Sequence, residues 1–308
     1  MAKQSALIDG VKEIIQDSAF TSARILDYLN QGIRQIAGGV MIRYPDGTQV
    51  FSSPLPLLST VSSLTTSTSL AYIDLPSDFG RNLYVLVSST NEVQITIEPS
   101  FAHFMMMYPN LDSTNQVVCA CIRGRLLFYQ GYPSTAETLV PYYYRTPYDM
   151  ATLTGATDIS FTATTNVITD AGTDLDRFHV GQTIDVTGTT KNNTSLTVTA
   201  VATTGATLTV SEDLTTEANT SATIKSRPDG IPVHLHESLL ENFAAWKIFE
   251  RKISKAGEGD MNTKEEAARY HGLFLGSMIN LESSIEDLPE SAQIQSTGVS
   301  SWGYGRSF

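Results

Sequence analysis

The residues best suited to chemistry are two histidines and a glutamate, His234, His236 and Glu237, which lie close together in the chain. Imidazole nitrogens and carboxylates bind zinc, but a structural zinc site takes four ligands and a catalytic site usually takes three from the protein. Helical residues two positions apart point about 200° apart, so the histidines would share a face only on an extended segment. Because no second cluster has usable spacing, we predict no metal here and interpret all three as solvated residues at the start of a helix.

Three aspartates, Asp170, Asp174 and Asp176, resemble a fragment of a calcium-binding loop. They lack the glycine at the sixth position and the closing glutamate of such a loop, so we interpret them as an acidic turn. The sequence also contains no Gly-x-Ser-x-Gly motif, no phosphate-binding loop and no zinc-protease motif. We therefore predict no catalytic residue, no cofactor and no metal, and we expect that the protein is not an enzyme.

Other reactive residue types fit packing roles. Cys119 and Cys121 alternate along a predicted strand, where a disulfide between them would be strained, so we expect reduced thiols in the core. Reduced cysteines fit synthesis in a reducing cytosol. His103 and His179 each lie beside a phenylalanine, and we expect both in the core or at its rim.

Helical periodicity is strongest over residues 234–253, where apolar residues recur at spacings of three, four and seven. This pattern is typical of a helix with one buried face, and Trp246 lies in the middle of that face. A second helix is predicted from the capping box of Thr263 and Glu266 as far as Pro289. The apolar positions of the two helices are Leu235, Leu239, Leu240, Phe243, Trp246, Phe249 and Ile253, then Ala267, Tyr270, Phe274, Met278, Leu281 and Ile285.

A short segment with two glycines joins these helices, which favours an antiparallel helical hairpin. Glu241 and other charged residues fall largely on the opposite side, where we expect them to be solvated. Residues 1–39 show two further amphipathic stretches, one of them capped by Thr21. We expect these helices to pack on the hairpin and to bring both ends of the chain into one helical core.

Residues 40–150 contain short apolar runs between turn signals, which indicates a small sheet with one short helix. Two of these runs flank Arg123-Gly124-Arg125, which we predict to be a hairpin turn. Tyr142 and Tyr144 share a face of one predicted strand, and we expect core or interface packing rather than ligand stacking. Residues 151–226 are rich in threonine and carry eight acidic against three basic residues, a net charge of −5. Their β-branched alternation indicates a separate β-sandwich or small barrel, inserted in the main unit and projecting from it.

After Glu290 the chain consists mainly of Ser, Gly and isolated aromatic residues. This segment has too little apolar surface to build a core of its own. Trp302, Tyr304 and Phe308 are spaced two and four apart, so on an extended strand they would share one face, and Arg306 is the only charged side chain nearby. We interpret the four as anchors for a partner protein; the alternative is a frayed terminus.

The sequence thus predicts an α+β fold with an antiparallel helical core and two β insertions. The expected parts are N-terminal helices in 1–39, a β-rich region in 40–150, an all-β domain in 151–226, a helical hairpin in 227–288 and an extended tail in 289–308. The net charge of −12 among 308 residues argues against wrapping of nucleic acid through phosphate neutralisation. The N-terminus lacks the apolar run of a signal peptide, and no apolar run is long enough to span a membrane.

Several motifs, in order, resemble the head-to-tail adaptor (connector) proteins of tailed bacteriophages. LNQGIRQI at residues 29–36 is similar to their early helix, and DLPSDF at 74–79 to their DLPxDF turn. YQGYP at 129–133 and YYYRTP at 142–147 resemble two of their strands, and residues 232–252 resemble the helix that follows. The 151–226 segment departs from this pattern and resembles the Ig-like β-sandwich modules of phage structural proteins; it would bind the next tail component or merely decorate the particle.

The resemblance implies a structural role in the virion. It implies a homo-oligomeric ring, expected to be a dodecamer, that lies below the portal protein and joins the capsid vertex to the tail. The expected partners are other copies of the chain, the portal, the next tail or nozzle protein, and genomic DNA that passes through the lumen without specific binding. The tail residues Trp302, Tyr304, Arg306 and Phe308 would bind the portal. The protein would be made in the host cytoplasm and act in the neck of the virion, with no membrane partner.

Two other classes of function fit less well. A glycan- or receptor-binding tail module would use the Thr-rich β domain, but a glycan cleft needs aromatic platforms, and residues 151–226 contain only Phe161 and Phe178 as aromatic rings of that kind. An enzyme such as a wall hydrolase would need a constellation of carboxylates or histidines that the sequence does not supply.

Overall fold

The structure is a computed structural model, and it describes residues 3–44, 46–155, 158–256 and 261–286. The helices are α1 Gln4–Ile15, α2 Ser22–Gly38, α3 Phe101–Met107, α4 Asn242–Ala256 and α5 Met261–Glu286. The first eleven strands are β1 Met41–Arg43, β2 Gln49–Phe51, β3 Ser59–Val61, β4 Leu64–Thr65, β5 Tyr72–Asp74, β6 Phe79–Ser88, β7 Val93–Gln94, β8 Thr96–Glu98, β9 Cys119–Arg123, β10 Leu126–Tyr129 and β11 Thr138–Arg145. The remaining strands are β12 Thr152–Thr154, β13 Ile159–Thr162, β14 Val167–Asp170, β15 Thr183–Thr187, β16 Ser195–Val201, β17 Thr207–Val210, β18 Glu217–Thr220 and β19 Thr223–Ser226.

These elements divide into two compact units. One lies within residues 1–36, 41–50 and 147–281, and the other within 37–40, 51–146 and 282–308. The mixture of helices and antiparallel sheets confirms the predicted α+β class. The arrangement of the helices as an antiparallel bundle, the Ig-like character of residues 151–226 and the predicted domain boundaries stay predictions.

The first unit begins with the two N-terminal helices that the sequence predicts. In α1 the buried side chains recur at helical spacing and include Leu7, Val11 and Ile15. The helix ends at Gln16, whose left-handed backbone (φ 45°) lets its N–H bond the Lys12 carbonyl. At the start of α2 the Thr21 hydroxyl lies 3.5 Å from the backbone nitrogen of Arg24, in the position of an N-cap.

The predicted single helix over residues 234–253 is wrong in its first half. Val233–Leu235 form one turn of 3₁₀-helix and Glu237–Glu241 form a π-helix before α4 begins. A π turn widens the helix, so backbone carbonyls need partners outside the usual ladder. The Ser238 carbonyl has two such partners. It accepts hydrogen bonds from the Asn242 side chain and from the Ser277 hydroxyl, the latter at 3.1 Å.

Phe243 lies where α2, α4 and α5 meet. Its ring is fully buried and packs edge-on to Phe274, with 5.3 Å between ring centroids. A Cβ on Gly32 would lie only 2.8 Å from this ring, so glycine is what allows α2 to come so close. Trp246, predicted in the core, is only partly buried. It stacks on His271 at 4.2 Å, and the Lys247 ammonium lies 3.6 Å from its ring centroid.

The second helix of the predicted hairpin also differs at its start. α5 already includes Met261, so Thr263 is inside the helix and the predicted capping box does not mark its beginning. The joining segment with Gly257 and Gly259 lies outside the described residues. The predicted apolar stripe is otherwise confirmed, because Phe274, Met278, Leu281 and Ile285 are all buried.

The second unit contains two sheets that share one core. The four-stranded sheet has the order β5-β10-β9-β8 and the five-stranded sheet the order β3-β11-β6-β7, with β4 also paired to β11. Leu127 and Tyr129 from the first sheet and Leu86 and Leu139 from the second belong to the same buried cluster. The predicted Arg123–Arg125 turn is confirmed, because Arg123 pairs with Leu126 across a two-residue turn in which Gly124 has φ 63°.

Residues 151–226 form an eight-stranded antiparallel sheet with the order β12-β19-β15-β16-β17-β14-β13-β18. One buried cluster contains residues from both ends of this order, such as Leu153 on β12 and Phe161 on β13. The alternation of apolar and Thr residues over 166–169, 183–186, 196–201 and 206–210 predicts four of these strands, β14 to β17. It does not predict β13, nor β12, β18 and β19, which contain one apolar residue each. All members of this cluster fall within residues 151–224.

We predict that this segment folds without the rest of the chain and can be removed. Its two ends meet, since Ala151 N donates to Ser226 Oγ at 2.8 Å and Ser226 N donates to the Ala151 carbonyl at 3.0 Å. Replacement of residues 152–225 by a short Gly-Ser link should preserve the helical signal and cooperative melting, although it removes the Thr152–Gln4 hydrogen bond and the Asp185 partner of Arg227. Residues 151–226 expressed alone should also melt cooperatively in circular dichroism. Non-cooperative melting of either half would show that the two depend on each other.

Candidate functional site

The histidine cluster at the start of α4 does not form a metal site. His234 is exposed, whereas His236 is buried, with 1% of its surface accessible. The prediction that all three residues are solvated is therefore wrong for His236, because the 3₁₀ turn rotates its ring inward. Its Nε2 lies 2.8 Å from the Ile231 carbonyl, and burial lowers the pKa of the ring. A neutral imidazole that donates from Nε2 fits this geometry.

The aspartate cluster forms the acidic turn that the sequence predicts. Asp170 is buried and accepts hydrogen bonds from Gly172 N at 3.1 Å and from Asp174 N at 2.8 Å. The Asp174 carboxylate pairs with Arg177 at 2.5 Å. The carboxylates of Asp170 and Asp174 therefore bind groups within the turn. Among the described residues, no group of three or more His, Cys, Asp or Glu side chains is placed to hold a metal ion.

The remaining reactive residues fit structural roles. Cys119 and Cys121 are buried free thiols that pack with Phe104 of α3, as predicted, and burial raises the pKa of both. A raised pKa keeps a thiol protonated and weakly nucleophilic. His103 lies at the rim, where its Nδ1 is 3.1 Å from Glu98, and His179 stacks on Tyr148 at 4.0 Å.

A surface depression of about 300 Å³ lies between α2 and α4. Its lining residues are Arg24, Asp27, Tyr28, Gln31 and Arg251. The two arginines contact the protein itself, because Arg24 Nη1 donates to the Ala19 carbonyl at 3.2 Å and Arg251 Nη1 donates to the Tyr28 hydroxyl at 3.0 Å. The depression is therefore a structural feature of the helix surface rather than an anion site.

Glu241 occupies a position that the sequence reading assigned to the solvated side. The π turn instead directs its carboxylate against α1, where a Cβ on Gly10 would lie 2.4 Å from Oε1. Burial, followed by the negative charges of Glu237 and Glu13, raises its pKa to about 7. A glycine within the apolar stripe of α1 is the one sequence signal that could have indicated this close approach.

One face of the five-stranded sheet carries exposed aromatic and β-branched residues. Tyr142 of β11 is 39% exposed, and its cross-strand neighbour Val61 on β3 is 53% exposed. Tyr84 packs against both Tyr142 and Tyr144, with ring centroids 6.4 Å and 5.2 Å apart. The expected shared face of Tyr142 and Tyr144 is therefore present, with Tyr144 buried and Tyr142 at the surface.

The four residues predicted to bind a partner, Trp302, Tyr304, Arg306 and Phe308, lie outside the described residues. The helix that precedes them ends at Glu286. Near that end, in the second unit, the Glu282 carboxylate is buried and accepts a hydrogen bond from Ser53 N at 2.8 Å.

The comparison with known protein families decides the identity of the chain. The model of the SU10 adaptor protein family matches residues 3–181, which is 179 of 308 residues. The chain belongs to this family. The match begins at α1, includes both sheets of the second unit and ends inside the eight-stranded sheet.

Other comparisons add little to the SU10 adaptor match. No curated protein matches the chain. Among solved structures, the Phage phi92 endosialidase is similar over 27% of this chain and 13% of its own, at 20% identity and a TM-score of 0.19. A TM-score this low does not establish a shared fold, so no argument is built on this similarity.

Family membership makes this chain a structural adaptor protein of a bacteriophage and a virion component. It agrees with the expectation of a protein without catalytic activity. No helix in the described ranges has the length and apolar character needed to cross a membrane.

The raised pKa of Glu241 predicts a pH-dependent stability. The ordinary value is 4.5 and the folded value is about 7, so between these values the folded state holds a proton that the unfolded chain has released. The contribution of Glu241 to the free energy of unfolding should therefore be most favourable below pH 4.5 and fall as pH rises to about 7. Because the side chain is partly exposed, the Glu241 contribution should be about 2 kcal/mol after solvent screening.

Glu241→Gln should remove this contribution. The variant should gain about 2 kcal/mol over the native chain at pH 8 and nothing at pH 4.5, measured by urea unfolding at several pH values. Glu13→Gln is the matched control, because it removes only a neighbouring charge and should have a smaller effect. Parallel pH profiles for the native chain and Glu241→Gln would contradict the prediction.

Proposed function

We propose that this SU10 adaptor forms a homo-oligomeric ring, a dodecamer, that lies below the portal and joins the capsid vertex to the tail. The observation that carries the proposal is the family match over residues 3–181. The order of the adaptor-like motifs in the sequence supports it independently. The ring would contact the portal on one side and the next tail or nozzle protein on the other, and it would let genomic DNA pass.

The tail after α5 is the proposed portal-binding segment. Residues 287–308 are 22 residues with the composition of a segment that orders on binding. As an extended strand it would present Trp302, Tyr304 and Phe308 on one side, and such aromatic anchors commonly dominate interface energy. Added as a strand to a portal sheet edge or cleft, it would also satisfy its backbone by β-augmentation, and Arg306 would add a carboxylate contact.

A glycan-binding role for the eight-stranded sheet finds no support in its surface. Phe161 and Phe178, the two aromatic residues on which a sugar could stack, are each 1% exposed. Both belong to the core of that sheet. The proposed role of this segment is therefore contact with the next tail component or decoration of the particle.

Deletion of residues 291–308 should leave the monomer folded and abolish attachment to portal-bearing heads. The triple variant Trp302→Ala, Tyr304→Ala, Phe308→Ala should do the same, since it removes the anchors and keeps the length. Ser300→Ala with Ser301→Ala is the matched control and should attach normally. Attachment would be measured by co-sedimentation with purified heads. Normal attachment and normal yields of tailed, DNA-filled particles with the deletion would contradict the portal-binding role.

Duplex DNA should bind the isolated protein weakly. With a net charge of −12, the protein can neutralise few phosphates. Counterion release therefore contributes little to binding, and DNA can slide through a ring. Fluorescence anisotropy at physiological salt should give a dissociation constant weaker than about 10 μM. Nanomolar binding with a steep salt dependence would exclude passive passage of DNA.

A further inference from the structure

The outer face of the five-stranded sheet is apolar and partly exposed, since Val61 is 53% and Tyr142 39% accessible while the remaining members are half-buried. Cross-strand partners point to the same side of a sheet. Tyr142 is opposite Val61 on β3 and Val85 on β6, and Val140 is opposite Val87. The inner face is separate, because Leu86 and Leu139 lie in the core cluster of the second unit. We call these five residues, Val61, Val85, Val87, Val140 and Tyr142, the outer face.

None of these five residues is charged, and the charged residue paired on the same side is Arg81, opposite Tyr144. The positions that extend it by register are Thr65 opposite Thr138, and Gln94 opposite Val87. Arg81, at the far end of β6, is directed to the unit's own backbone, since it donates to the Gly38 carbonyl at 3.2 Å and to the Ser52 carbonyl at 3.0 Å. A solvated antiparallel sheet face normally carries alternating polar residues, so this composition calls for a partner.

The chemistry of the face selects the kind of partner. Interface cores are depleted of charge and enriched in tyrosine, and exposed apolar patches commonly mark interaction sites. A basic partner would instead be attracted to the acidic residues of a protein with net charge −12. Two copies of the same acidic chain repel each other wherever their carboxylates meet, and they can approach most easily at an uncharged surface.

We propose that the outer face is the surface through which neighbouring copies of this chain contact each other. The proposal rests on the proposed ring, in which the outer face of one copy supplies one side of a heterologous contact with the next copy. Tyr142 lies at the centre, with Val61 and Val85 on either side. The Tyr84 ring packs against it, with 6.4 Å between the ring centroids. Because valine and tyrosine side chains form this face, covering it with a neighbouring copy would exclude water without burying a charge.

The test compares substitutions of equal charge at two exposed positions of the same unit. Val61→Glu adds a carboxylate to the outer face, and Met106→Glu adds one to α3, where Met106 is 79% exposed. Both changes are at the surface, so both variants should fold and melt like the native chain. Val61→Lys tests whether any charge is rejected, and Val61→Thr keeps the β-branched shape.

Light scattering of the native chain and the variants gives the first readout. The native chain, Met106→Glu and Val61→Thr should show the mass of a multi-subunit ring, while Val61→Glu and Val61→Lys should show the mass of one chain. The second readout is the number of copies bound per portal-bearing head. It detects a ring that forms only in the presence of the portal. It should fall at least fivefold for Val61→Glu and stay unchanged for Met106→Glu.

Equal assembly of Val61→Glu and the native chain in both readouts would overturn the inference and leave the proposed ring intact. A native chain that neither oligomerises nor binds heads would instead overturn the proposed function together with it. Residues 287–308 are the other possible occupant of the face. If the native chain stays monomeric and deletion of 287–308 increases nitration of Tyr142, that segment covers the face and the inference is wrong.

Discussion

The packing of Phe243 is the contact on which the helical part of the first unit depends. Its buried ring meets Phe274 of α5, and α2 approaches it at a glycine, Gly32, where any Cβ would collide with the ring. Loss of a fully buried phenylalanine typically costs about 3–5 kcal/mol, a large part of the stability of a domain. The packing of α2 against the distant pair α4 and α5 therefore depends on one ring and on the absence of a side chain at Gly32.

The π turn before α4 is the second constraint, because it changes which residues face inward. It follows the 3₁₀ turn that buries His236, directs Glu241 toward Gly10, and leaves the Ser238 carbonyl to be satisfied by Asn242 and Ser277. Unsatisfied buried polar groups are costly, so these side chains hold the turn in place. The same turn makes a carboxylate that would otherwise be solvated sensitive to pH near neutrality.

Several acidic side chains are paired within the fold. Asp170 and Asp174 form hydrogen bonds or an ion pair inside the acidic turn, and Asp185 is buried in a two-point pair with Arg227, at 2.6 and 2.9 Å. Burial alone would raise the pKa of Asp185, but the Arg227 and Ser195 hydrogen bonds outweigh it and lower the pKa. The five outer-face residues of the five-stranded sheet, in contrast, are all uncharged, and the family match makes the chain a structural adaptor of a bacteriophage.

Much of the local structure follows from the sequence alone, because helix and strand periods are written in neighbouring residues. The sequence determined the α+β class, both N-terminal helices, the Arg123–Arg125 turn and the acidic turn at Asp170. The order of its motifs indicated the phage adaptor family. Only the tertiary structure decided the π turn, the burial of His236, the contact of Glu241 with Gly10 and the partial exposure of Trp246. Those features depend on which distant residues meet, such as Gly10 with Glu241 or Ser277 with Ser238, and no local period encodes such a meeting.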